Sequence, residues 1–180
     1  MRLHFLYLIA LPAFTGCSKN SGDPLASETW PKKGLLITTY ADVGQAKKDT
    51  VYLKSVNFPE KRPANDPTSV TDKKSIWTIS LQQDGSGQPS YVLIKNEDGE
   101  YLRIDSIGSP LGREEYILET GKPANPGNGY KFYYHKEPNG FKLESVHKKD
   151  WFVTSEGHSQ GGNGYEFKKD RAEVFWLYPK

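Results

Sequence analysis

A pattern of strand-like segments repeats three times along the chain. Segments with an aromatic ring and aliphatic neighbours begin at positions 51, 100 and 151, so successive copies lie 49 and 51 residues apart. An apolar segment precedes each copy, and an aromatic segment ends each unit, at 76–79, 131–134 and 175–178. Self-similarity at a near-constant period indicates that each unit has the same local structure. From residue 34 onward, the chain is therefore expected to consist of three related units.

Each unit is expected to contain four β-strands. Short runs of β-branched, aromatic and aliphatic residues recur without helical periodicity, and turn residues such as Asp98-Gly99 and Asn139-Gly140 separate them. The twelve predicted strands are 35–40, 50–56, 69–71, 76–81, 91–95, 101–105, 115–119, 130–135, 141–145, 151–155, 165–168 and 174–178. Three copies of four strands predict an all-β fold, a pseudo-threefold β-trefoil over residues 34–180. In a β-trefoil, six strands form a barrel and six form hairpins that cap it.

The trefoil predicts which residues should be equivalent. Two sets should share a position in the three units: one is Trp77, Phe132 and Trp176, and the other is Leu53, Leu102 and Val153. The second set should lie at one common depth in the core. The alternative is an up-and-down or calycin-like barrel of roughly eight to ten strands, which is favoured if the repeat is a coincidence.

The third unit carries a family resemblance. Segments 141–145, 150–155 and 173–178, with a glycine-rich turn before the last, resemble the final third of interleukin-1 type trefoils. The hairpin at 96–102 is similar to that of the fibroblast-growth-factor and fascin branch. The resemblance covers residues 34–180 and implies a fold alone, because fold does not determine function. The Gln-x-Trp signature of ricin-type lectins does not occur in the sequence, so the resemblance transfers no sugar-binding residues.

The N-terminus has the pattern of a lipoprotein export signal. Arg2 gives a positive start, residues 3–14 are almost wholly apolar, and Phe14-Thr15-Gly16-Cys17 resembles a lipobox. An apolar run of this length is too short to span a ~30 Å hydrocarbon core as a permanent helix. Cys17 is the only cysteine among 180 residues, so no intramolecular disulfide can form. We therefore expect a signal peptide at 1–16 and a lipid on Cys17; the alternative is an ordinary secretory peptide.

The residues after the cysteine indicate a tether and a location. Residues 17–33 are polar and broken by prolines, which is typical of a flexible linker. Ser18 and Lys19 stand where an aspartate would retain the protein at the inner membrane, so the outer membrane of a Gram-negative bacterium is expected. Basic and acidic residues number 24 and 22, too close to balance for a nucleic-acid partner. We expect an anchored monomer, either periplasmic or surface-exposed.

The sequence shows no local catalytic or metal-binding constellation. His135, His147 and His158 are separated by 12 and 11 residues, without the short spacing of metal ligands. Glu114 and Glu115 are neighbours on a strand and point to opposite faces, so they cannot act together on one bond. We therefore expect no enzyme, no metal and no cofactor. The alternatives are a hydrolase whose residues meet only in three dimensions and a protease inhibitor acting through a protruding loop, for which the inserts at 57–74 and 121–129 are candidates.

Aromatic side chains are the remaining candidates for function. Flat rings beside polar groups stack on sugars or bind protein partners. Tyr52, Tyr101 and Trp151 belong to equivalent hairpins of the three units, and Arg103 lies close to one of them. The sequence therefore predicts a non-catalytic binding module that captures a glycan or a protein through these four residues. The alternative is that the rings fill the mouth of the barrel.

Overall fold

The chain forms an all-β domain in a computed structural model that describes residues 25, 28–40, 49–55, 59–63, 71–83, 90–108, 114–155 and 164–179. Cys17 and the predicted signal peptide lie outside these residues. The strands are β1 (Lys32–Tyr40), β2 (Asp49–Ser55), β3 (Pro59–Pro63), β4 (Ile76–Gln82), β5 (Tyr91–Asn96), β6 (Tyr101–Gly108), β7 (Glu114–Gly121), β8 (Phe132–Glu137), β9 (Gly140–Ser145), β10 (Trp151–Thr154), β11 (Glu166–Lys169) and β12 (Trp176–Pro179). A short 3₁₀ helix, Asn128–Tyr130, precedes β8.

Seven of the strands form a closed antiparallel barrel. Following the hydrogen-bonded pairs, β5, β6, β7, β11, β10, β9 and β8 lie side by side, and β8 pairs back with β5 at Phe132 and Val92. Strands β4, β1, β2 and β3 continue outward from β5 in that order, and β12 pairs with β1. The prediction of an all-β fold is confirmed.

The predicted β-trefoil is wrong, because the strands close differently. A trefoil barrel needs a ladder between β9 and β12, but among the described residues a single bridge, Phe141 to Phe175, joins these two parts of the chain. Instead, β7 pairs with β11. This pairing joins the β6–β7 hairpin to the β10–β11 hairpin, two of the hairpins expected to cap the barrel. A ring of seven strands results, and the hairpin strands are members of it.

The predicted equivalence of the three units is only partly observed. Trp77 and Phe132 are completely buried, whereas Trp176 remains partly exposed on the short strand β12. The aliphatic set behaves as expected, since Leu53, Leu102 and Val153 are each 1% exposed or less. The repeat therefore predicts core depth correctly for these aliphatic residues, although it does not predict the closure of the barrel.

Two hydrophobic clusters hold the strands together. The main cluster includes Phe132 and Phe167, whose rings stack with centroids 6.2 Å apart, and it also includes the completely buried Trp77. Leu35, Ile37, Tyr52 and Ile76 form a second cluster, against which Trp176 packs. The two clusters follow from strand alternation, because neighbours on β1 such as Leu36 and Ile37 point to opposite faces.

Two local features differ from the sequence pattern. Strand β3 has a proline at each end, a composition that argues against a central strand, and it lies at the edge of the sheet, where proline is tolerated. The predicted strand at 69–71 falls largely outside the described residues. Near the N-terminus, β1 begins at Lys32, two residues before the predicted start of the domain, and Leu25 packs into the main cluster. Part of the segment predicted as a tether therefore contacts the barrel.

Candidate binding groove

A groove with a volume of about 530 Å³ lies where the N-terminal segment crosses the barrel. Its walls are the N-terminal segment between Glu28 and Lys33, the hairpin of β8 and β9 between Tyr134 and Phe141, and strand β12 between Trp176 and Pro179. We call this site the groove. It has the size of a small-molecule or oligosaccharide site, since such sites typically measure about 300–1,000 Å³.

The backbone explains why a groove forms at this point. Phe141 and Phe175 exchange two backbone hydrogen bonds, each 2.8 Å long, which fix the start of β9 against the start of β12. Gly140 lies so close to this bridge that a Cβ atom would be 2.1 Å from the Phe175 carbonyl oxygen. No ladder in the described part of the chain continues the contact, so β12 and the β8–β9 hairpin separate and leave space between them.

Aromatic rings form the floor of the groove. The rings of Tyr134 and Phe141 stack with centroids 4.6 Å apart, and both side chains are buried. The rings of Trp30 and Tyr134 pack edge to face with their centroids 5.3 Å apart, and the Trp30 indole N–H donates to the Leu25 carbonyl oxygen at 3.2 Å. These contacts attach the N-terminal segment to the barrel, so that segment is a fixed wall of the groove.

Three charged side chains meet above this floor. The carboxylate of Glu28 accepts a hydrogen bond from the ammonium group of Lys136 at 2.7 Å and another from Lys32. The Lys32 ammonium also lies over the rings of Trp30 and Tyr134, 4.7 Å and 5.3 Å from their centroids. Cation–π contacts of this kind hold a lysine in place. We call Lys32, Glu28 and Lys136 the charged trio.

Glu28 and Tyr134 each keep one protonation state near neutral pH. Hydrogen bonds from Lys136 and Lys32 lower the pKa of Glu28 below its ordinary value, because they favour the charged carboxylate. Burial raises the pKa of Tyr134 to about 12, and the negative charge of Glu28 acts in the same direction. Glu28 therefore stays ionised and the Tyr134 phenol stays neutral, so neither is suited to proton transfer at neutral pH.

The four residues predicted to bind a ligand lie outside the groove. Tyr52 is almost completely buried in the second cluster and offers no ring to a ligand. Trp151 packs against the main cluster and meets Tyr116 edge-on at 4.9 Å. Tyr101 contacts the ring of Tyr130, and Lys95 lies over its face at 5.5 Å. These three aromatic residues stand on β2, β10 and β6.

Arg103 and Cys17 complete the predicted site residues. Arg103 lies two residues after Tyr101 on β6, and its guanidinium group pairs with the Asp105 carboxylate at 2.6 Å. Cys17 is outside the described residues, so its lipidation stays a prediction. The groove was not predicted from the sequence, because Glu28 was assigned to a tether, Lys136 lay just beyond the predicted strand at 130–135, and no local motif connects them.

Polar clusters elsewhere on the barrel support the fold. His135 Nε2 lies 2.7 Å from Glu144 Oε2, and the other oxygen of Glu144 accepts the Asp150 amide at 2.8 Å. Ser155 donates its amide and its hydroxyl to the carboxylate of Glu173, at 2.8 Å and 2.5 Å. Each carboxylate therefore satisfies backbone and side-chain donors at a strand end. Among the described residues, no three His, Cys, Asp or Glu side chains are placed to hold a metal ion.

Comparison with known proteins does not assign this chain to a family, so its function has to be inferred from the site. No protein-family model matches the chain, and no curated protein matches it significantly. In the part of the chain that the structure describes, no helix is long and apolar enough to span a bilayer.

Proposed function

We propose that this protein is a non-catalytic glycan-binding module, anchored at the cell envelope by a lipid on Cys17. The observation that supports this proposal best is the composition of the groove. Its β12 wall supplies the partly exposed indole of Trp176 together with Pro179, and the opposite walls supply charged and amide groups, among them Lys136 and Asn139. A sugar ring needs both, since its C–H face packs on an apolar surface while its hydroxyl groups exchange hydrogen bonds.

The same contacts argue against catalysis in the groove. A glycosidase needs two carboxyl groups, one of them protonated to act as an acid on the leaving group. Glu28 is ionised and already accepts hydrogen bonds from two lysines, and Glu137 forms an ion pair with Lys142 at 2.5 Å. Because Glu28 is ionised and lysines hold both carboxylates, the groove is suited to holding a glycan without cleaving it.

A glycan array tests the proposal with Trp176→Leu as the key variant. Leucine keeps apolar packing against the second cluster but removes the flat ring, so we expect affinity for the captured glycan to fall about tenfold. Tyr178→Leu is the matched control, because Tyr178 is 59% exposed, lies on the same strand and does not line the groove. Binding should be unchanged in the control. Equal binding by both variants, or no bound glycan with folded wild-type protein, would contradict the proposal.

The anchor is tested separately by Cys17→Ala. Two or three acyl chains contribute roughly 0.8 kcal/mol per buried methylene, so the wild-type protein should sediment with membranes. The variant should move to the soluble envelope fraction, because alanine offers no sulfur for lipid attachment. Fractionation on a density gradient, with immunodetection of the protein, checks this result. A variant that stays with the outer membrane would show that Cys17 does not carry the anchor.

A further inference from the structure

The charges around the groove do not balance. Lys33 pairs with Glu97 at 2.5 Å, and this pair is neutral. The charged trio is different, because two ammonium groups share the one carboxylate of Glu28. Two positive charges and one negative charge leave the trio at +1. The Glu137–Lys142 ion pair on the neighbouring hairpin adds nothing to this value.

The two lysines of the trio have different surroundings. The side chain of Lys32 is 26% exposed and is held over the rings of Trp30 and Tyr134. The side chain of Lys136 is 61% exposed and lies on the groove wall formed by β8. An ammonium group has three N–H donors, and the hydrogen bond to Glu28 uses one of them. Lys136 can therefore direct a second N–H at a ligand in the groove while Glu28 holds its position.

Neither Glu28 nor Tyr134 can add a negative charge to the groove at neutral pH. Glu28 is already ionised there, since its pKa is lowered by the two lysines, and it cannot supply a further negative charge. The Tyr134 phenol below is neutral because its pKa is raised to about 12. A negatively charged group on a ligand is what would neutralise the site, and a charge-assisted hydrogen bond to an ammonium group is roughly twice as strong as a neutral one.

We infer that the groove selects an acidic sugar, whose carboxylate or phosphate group binds Lys136 while its ring packs toward Trp176. This inference rests on the proposed glycan binding and adds the charge of the ligand. Carboxylate and phosphate share the chemistry that Lys136 recognises, so the test includes one probe of each kind. Lys32 holds Glu28, and Glu28 in turn positions Lys136.

Calorimetric titration of the purified protein tests this inference with three probes: oligogalacturonate, glucose 6-phosphate and a neutral galacto-oligosaccharide. We expect at least one acidic probe to bind about tenfold more tightly than the neutral one at low salt. The preference should shrink in about 0.5 M NaCl, where the Debye length falls to about 4 Å. Tighter binding of oligogalacturonate assigns a carboxylate ligand, and tighter binding of glucose 6-phosphate assigns a phosphate.

Three variants separate recognition by Lys136 from a structural effect. Lys136→Gln should weaken acidic probes about tenfold and leave the neutral probe unchanged. Lys122→Gln is the control, because Lys122 is a similarly exposed lysine that pairs with Asp98 outside the groove. Glu28→Gln should strengthen acidic probes severalfold, since the glutamine amide oxygen can still accept the hydrogen bond that positions Lys136 while the net charge of the trio rises from +1 to +2. Loss of folding cannot produce a gain in affinity.

The outcomes distinguish the two proposals. Equal affinity for neutral and acidic probes, with no effect of Lys136→Gln, overturns the acidic ligand and leaves glycan binding standing. Failure of folded protein to bind any of the three probes, together with a negative glycan array, overturns both. A poly-glutamate peptide that binds more tightly than either acidic sugar overturns the sugar in favour of an acidic protein segment.

Discussion

Trp77→Ala is expected to lower the free energy of unfolding by about 4 kcal/mol, a large fraction of the about 5–15 kcal/mol that stabilises a typical domain. The indole of Trp77 is completely buried, and its N–H donates to the Leu53 carbonyl oxygen at 2.9 Å. Alanine leaves a large cavity and a buried acceptor without its donor, and both effects destabilise the folded state. Urea unfolding followed by circular dichroism measures the change.

Two controls make this expectation specific. Trp77→Phe keeps most of the ring and loses the donor, so its cost should be about 2 kcal/mol. Trp176→Ala should also cost about 2 kcal/mol or less, because Trp176 is partly exposed. The predicted trefoil placed Trp77 and Trp176 at equivalent positions of two units. Equal losses in the two alanine variants would therefore show that the observed difference in burial has no energetic meaning.

Gly140→Ala is expected to cost about 3 kcal/mol or more and to open the groove. Gly140 has a φ of +149°, which side chains rarely adopt, and an added Cβ would lie 2.1 Å from the Phe175 carbonyl oxygen. The strain must be relieved by moving β9 away from β12, which breaks the two hydrogen bonds between Phe141 and Phe175. Thermal unfolding measures the stability, and calorimetric titration measures the loss of ligand binding.

Gly99→Ala provides the matched comparison. Gly99 also has a positive φ, +85°, in the turn between β5 and β6, but a Cβ there would meet nothing within 4 Å. Only the backbone strain remains, which costs about 1 kcal/mol, and ligand binding should be intact. Equal losses of stability in the two variants would show that the close approach of Gly140 to Phe175 does not hold β9 against β12.

Strand positions were predictable from the sequence because side chains alternate along a strand. The pattern Trp77-Thr78-Ile79 places its apolar residues on one face, and β4 runs from Ile76 as expected. Gly99 lies in a turn and Gly140 directly follows one, and both have the positive φ that glycine adopts readily. These features depend on a few neighbouring residues, so a local pattern is enough to predict them.

Strand pairing was not predictable in the same way. The contact of β7 with β11 joins Ile117 to Glu166 and Tyr116 to Phe167, residues far apart in the sequence. A threefold repeat indicates that the three units have similar local structures, but it does not determine which strand edges pair. The strand at β12 was predicted, but no local pattern states that it pairs with β1 without forming a ladder with β9.

The groove could not be predicted from the sequence for a related reason. Its charged trio joins an N-terminal residue, Glu28, to a lysine in the second half of the chain, and its floor uses rings that the repeat assigns to the core. A polar segment with prolines is typical of a linker, and only Leu25 and Trp30 distinguish this one. Two large apolar residues in a polar linker are the signal from which its docking could have been inferred.

With the predicted lipid on Cys17, the docking of Leu25 would limit the distance between the barrel and the membrane. Leu25 is eight positions after Cys17 in the sequence, and a fully extended chain spans at most about 29 Å over eight positions. With a lipid on Cys17, the groove beside Glu28 would stay within roughly one hydrocarbon thickness of the bilayer surface. Anchored in this way, the protein would capture only molecules that come close to the membrane surface.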